Sequence, residues 1–192
     1  DWFQKTYYGS RLSSILLSYI FHTTLPPLVA NYATHLTVIY IAVFSLYYIL
    51  RSHTNRASAL LTALSMCGYA WFASAVGWDT TDGAGIAFQL LSFAFLTSAS
   101  CLHRPSRWIC ASGAAAAAMV HAHLFLVFFC PVFLIYYLQL VNKNVSHSLF
   151  SRLKYFFTHF GLGAILLTLA FGFVNMSVGG KFLFFMPSIK FG

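Results

Sequence analysis

The chain reads as an all-α, polytopic bundle of transmembrane helices forming a single domain. Three observations lead there. Of its 192 residues, 59% are hydrophobic and only 7% are charged, whereas a soluble domain carries roughly 25% charged residues. Fourteen formal charges cannot cover the surface of a soluble domain this size. The apolar residues fall in long uncharged runs, and most of the basic residues lie in short clusters between them, as membrane topology requires. The same clustering argues that the net charge of +8 is no nucleic-acid footprint. The opening at Asp1 and the stop at Gly192 fit an internal piece of a longer chain.

Residues 12–25, LSSILLSYIFHTTL, place apolar side chains at 12, 15, 16, 19 and 20 with serines opposite. That periodicity predicts an interfacial amphipathic helix, with a short buried helix as the alternative, ended by Pro26-Pro27. Residues 28–50 are 23 uncharged residues, enough to cross about 30 Å of hydrocarbon. Residues 57–76 and 84–100 are the next two predicted spans, separated by the polar stretch GWDTTDG. Residues 156–176 are the last. Cys67, Cys101, Cys110 and Cys130 match no compact zinc pattern and read as small buried residues.

Residues 108–140 are harder. They hold 33 residues without a formal charge, interrupted by His121-Ala122-His123. One tilted helix and two short crossings, 108–120 and 123–140, are both open. The charge bias favours two. With two crossings, Arg51, Arg56, Arg104, Arg107, Lys143, Arg152 and Lys154 share one side; with one crossing, only the first four do. The alanine run 114–118 suits close helix contact. Six spans plus one interfacial helix result.

This topology gathers all three acids, Asp1, Asp79 and Asp82, on the non-cytoplasmic side, together with His121, His123 and Arg11. Carboxylates and imidazoles at one wet rim can bind a divalent cation, Mg or Mn, or hold a polar ligand, with Asp79 and Asp82 as the metal candidates. Asp82 also reads as the N-cap of the following helix. The histidines also read as turn residues, since no specific metal motif surrounds them. Arg11 reads equally as a lipid headgroup anchor or as a phosphate clamp.

The stretches YYGSRLSSIL, ANYATHLTVIYIAVFSLYYILR, FASAVGWDTTDGAGIAFQLL and HAHLFLVFFCPVFLIYYL together resemble the GT-C type polytopic glycosyltransferases. That family includes bacterial protein mannosyltransferases and aminoarabinose transferases. The resemblance implies a GT-C-like fold and transfer of a sugar from a polyprenyl-phosphate donor to a lipid, glycan or protein acceptor. It implies a site on the periplasmic or outer face of a bacterial inner membrane, with membrane lipids as further partners. It places Asp1 in the position of the outer-loop acid, followed by Tyr7, Tyr8 and Arg11. Asp1 and Asp79 are then the candidate catalytic carboxylates; Tyr8, Arg11, Asp82, His121 and His123 are the candidate substrate contacts. The family's acidic pair is reduced here to Asp1 alone. A transporter or channel, or a non-catalytic subunit of a membrane complex, are the alternative expectations.

Overall fold

Proline and small residues set the first half of the architecture. The structure, a computed structural model, describes residues 11–78, 80–101, 105–141, 148–177 and 179–183. Helix α1 (Leu12–Thr24) stops as Leu25 turns extended, and Pro26-Pro27 reopens the chain with a proline in the first turn of α2 (Pro27–Arg51). Proline there lacks only an N–H that a helix start leaves unpaired. Helix α2 buries Ala30, Thr34, Val38 and Ala42, one residue in four, and turns Leu28, Tyr32, Leu36, Tyr40, Phe44 and Tyr48 outward. Small residues inside and large apolar ones outside invert a water-soluble helix and suit one packed among helices in lipid.

Asn55 caps α3 (Arg56–Ser65) by accepting the Ser58 N–H at 2.9 Å. A 3-10 turn, Met66–Gly68, and an extended Tyr69 then separate α3 from α4 (Ala70–Trp78). The two halves meet at 57°, so the straight span expected over 57–76 is broken. The α-helical ladder ends in this turn, where Tyr69 at φ −76° and ψ 113° leaves the helical region.

Helices α5 (Thr80–Cys101) and α6 (Pro105–Ala122) form the centre. They are antiparallel: Phe95 meets Trp108 and the Ser92 hydroxyl lies 2.7 Å from that of Ser112, while Gly85 lies beside Ala122. Helix α8 (Leu149–Ser177) runs parallel to α6, since Gly113 sits on the Phe160 carbonyl and His121 reaches Thr168. Helix α8 begins seven residues before the predicted span.

The stretch 108–140 forms two arms. Helix α6 ends at Ala122, and His123 is extended at φ −148° and ψ 113°. A 3-10 helix, Leu124–Phe129, and α7 (Cys130–Val141) follow. Leu126 lies over Gly85 at the start of α5, and the Tyr136 hydroxyl is 2.8 Å from Thr97 near its end. The second arm therefore runs back along α5.

Two apolar clusters knit the bundle. Val38, Ala42, Phe72, Val76, Ala84 and Ala87 join α2, α4 and α5. Leu96, Ile109, Met119, Phe133, Tyr137 and Phe156 join α5, α6, α7 and α8. Among the described residues every element is helical. Helices α2, α5 from Asp82, and α8 are long and apolar enough to cross a membrane, and the bent α3–α4 pair makes a fourth. Six were expected; neither arm of 108–140 meets that measure alone.

One further expectation needs correction. The cysteines are not all buried: Cys67 and Cys101 are exposed, and Cys110 and Cys130 are half-buried. In a lipid-facing helix a thiol is simply another apolar outward group. Helix α1 exposes Tyr19 and Ile20 of its apolar stripe and buries Leu12, Ser13 and Ser14, with Arg11 buried just before it. The serines go inside because they are small and find acceptors: Ser13 donates to the Ala118 carbonyl at 2.8 Å and Ser14 to the Arg11 carbonyl at 3.0 Å.

Candidate functional site

The first turn of α5 and the end of α6 meet at one rim of the bundle. Asp82 stands in the opening turn of α5, where the helix dipole favours a carboxylate. Antiparallel packing of α5 on α6 brings the α6 terminus to the same level. His123 follows directly, in the extended conformation that ends the helix. Its Nε2 lies 3.5 Å from Asp82 Oδ1. Asp82 is half-exposed and His123 is less so, so the pair borders open space rather than core. The His123 ring also lies against Phe125, with centroids 5.6 Å apart.

His121 faces the other way. Its Nε2 is 3.0 Å from the Thr168 hydroxyl of α8, and its ring meets Phe171 edge-on at 5.7 Å. The two histidines are two residues apart in sequence and divided by the helix end. His123 serves the rim, and His121 pins α6 to α8.

Arg11 enters this end of the molecule through α1. Leu12 packs with Phe171, and Ser13 bonds to Ala118, one helical turn before Ala122. Arg11 is only 9% exposed, so a headgroup anchor standing free in the interface is not what the fold builds. A guanidinium placed this deep is held by the bundle and oriented by it.

Asp1, Tyr8 and Asp79 lie outside the described residues. Of the remaining candidates, Asp82 and His123 come together, and Arg11 and His121 join them at the same end. Among the described residues no three His, Cys, Asp or Glu side chains converge as a metal site. Asp82 and His123 could supply two ligands to a divalent cation, with the rest from outside the described residues. Thr168 and Phe171 were not legible as partners of this end; they lie 47 and 50 residues from His121, and nothing in their local sequence marks them.

Asp82 and Arg11 stand at this rim, while Arg107, Arg152 and Lys154 lie near the starts of α6 and α8 at the opposite end. No protein-family model, no curated protein and no solved structure matches the chain.

Proposed function

We propose that the chain is part of an integral membrane glycosyltransferase of the GT-C type. It moves a sugar from a polyprenyl-phosphate donor to a lipid, glycan or protein acceptor, on the periplasmic or outer face of a bacterial inner membrane. What carries the reading is the placement of Arg11, buried in the fold, at the same end as the Asp82–His123 pair. Inverting transfer needs a proton acceptor for the acceptor hydroxyl and positive charge for the departing phosphate. A carboxylate among Asp1, Asp79 and Asp82 supplies the first, and Arg11 supplies the second with two parallel donors. Asp79 and Asp82 are also the groups to which Mg or Mn would bind.

The test is consumption of polyprenyl-phosphate-linked sugars by the full-length protein in liposomes, comparing wild type with R11A and D82N. Absence of turnover with every donor tried, in correctly inserted wild-type protein, defeats the proposal.

A second reading, a transporter, draws on the 57° break between α3 and α4 and the helix end at His123. Broken helices are how transporters place backbone groups on a substrate. Uptake of free solute by the same liposomes, without donor consumption, selects it.

A further inference from the structure

We propose that the break between α3 and α4 stands in water rather than in lipid, at the inner end of an aqueous recess that opens at the Asp82 end of the bundle. This rests on the membrane reading above and on neither the transferase nor the transport chemistry.

The break leaves backbone groups without partners. The Tyr69 N–H donates to the Met66 carbonyl at 3.1 Å, and the Tyr69 carbonyl accepts from the Ala73 N–H at 3.0 Å. No backbone hydrogen bond passes over Tyr69. The N–H groups of Ala70, Trp71 and Phe72 and the carbonyls of Cys67 and Gly68 are therefore unpaired, and among the described residues no side chain caps them. Cys67, Gly68, Tyr69, Ala70 and Trp71 are all exposed. The ten residues of α3 put the break about 15 Å from Arg56, midway through roughly 30 Å of hydrocarbon. Lipid offers these groups no partner. Non-helical backbone at that depth persists only within protein or beside water.

The outward faces of the two half-helices favour water. On α3, Leu60, Leu61 and Leu64 turn outward, a surface suited to acyl chains. On α4, Ala70, Ala73, Ser74 and Gly77 turn outward, spaced as one helical face. Small side chains there leave room for water beside the unpaired amides. The Ser74 hydroxyl has no partner among the described residues, whereas Thr34 and Thr37 on α2 each donate to the carbonyl one turn earlier. The face runs from the break to the end of α4. That end packs on the first turn of α5, where a Cβ on Gly83 would meet Val76. It therefore finishes level with Asp82, which is itself half-exposed. A strip of small and polar groups joins the open rim to the middle of the span.

The experiment uses Cys67 as its own reporter, in the full-length protein carrying C101S, C110S and C130S and reconstituted in sealed liposomes. A membrane-impermeant methanethiosulfonate is added from the Asp82 side. It attacks the thiolate, which forms in water and not in hydrocarbon. T24C at the outer edge and L61C on the α3 face, each made with C67S, are the controls; both positions are exposed. Cys67 should react within about tenfold of T24C, and L61C at least about a hundredfold more slowly. S74L/G77L fills the α4 face, Gly77 having nothing within 4 Å of its Cβ position. It should slow Cys67 by at least about tenfold and leave T24C unchanged. Reaction of Cys67 as slow as that of L61C overturns the proposal, whether lipid or a partner protein covers the break. Reaction from the cytoplasmic side alone overturns it too, and so does a Cys67 rate that S74L/G77L leaves unchanged. Labelling after unfolding in dodecyl sulfate shows that each thiol is intact. Failure of the membrane reading shows separately, as release of the protein into alkaline carbonate washes.

Discussion

The imidazole Nε2 of His123 and the carboxylate Oδ1 of Asp82 stand 3.5 Å apart, across 41 residues of sequence. Neither group is buried in the core, so their meeting contributes little to stability. An exposed ion pair is worth about 0–1 kcal/mol, and a first-turn carboxylate adds roughly 0.3–1 kcal/mol. D82N and H123Q should therefore leave the unfolding temperature within a few degrees of wild type, while turnover falls by at least about tenfold if the pair serves the reaction. Activity near wild type in both variants, measured with lipid-linked donor, removes the pair from the site.

Arg11 makes a sharper demand. Lysine keeps the charge but loses the planar fork. R11K should remain impaired with saturating donor, and R11A should be at least as poor, with membrane insertion scored independently. Near-normal turnover in R11K says that only a positive charge, not a guanidinium, is needed there.

Glycine substitutions separate packing from propensity. A Cβ at position 113 would run into the Phe160 carbonyl, and one at 163 into the Cys110 carbonyl. Neither carbonyl can move without moving its helix. An overpacked core costs about 1–3 kcal/mol, so G113A and G163A should each unfold roughly 5–10 °C below wild type. Position 161 has nothing within 4 Å. Alanine there improves helix propensity by about 1 kcal/mol, so G161A should match or exceed wild type. Three equal melting temperatures contradict the α6–α8 contact.

Ser92 and Ser112 share a buried hydrogen bond at 2.7 Å between α5 and α6, and Ser92 also lies 3.0 Å from the Ser112 carbonyl. Interhelical bonds of this kind average about 0.6 kcal/mol in membrane proteins. A double-mutant cycle with S92A and S112A should return a coupling of that order. Strict additivity is the contrary result.

The topology can be read chemically. In a cysteine-free background, single cysteines at His53 and Ser148 should label from the cytoplasmic side. Cysteines at Thr24 and Leu124 should label from the other. All four are at exposed positions in the fold. Labelling of 124 and 148 from the same side would mean that 124–141 does not return across the membrane.

Much of the helical framework could be read directly from the sequence. Composition and long uncharged runs mark a membrane-type helical chain, because hydrocarbon leaves the backbone no partner but itself. Pro26-Pro27 marks the α1–α2 joint, because proline cannot continue one helix but can begin the next. The basic clusters mark a turn within 108–140, because lipid charge and translocation sort Lys and Arg by side. The break at Met66–Tyr69 was not legible, since an apolar run with one glycine is equally compatible with a straight span. The burial of Ser13 and Ser14 was also hidden. For Ser13, facing inward depends on an acceptor more than a hundred residues away, on Ala118. The same holds for the two histidines. Two residues apart and alike in local sequence, they are divided only by where α6 ends and by what α5 and α8 bring within reach. Asp82 came to His123 and Thr168 to His121 because helix packing, not chain proximity, decides which polar groups can meet.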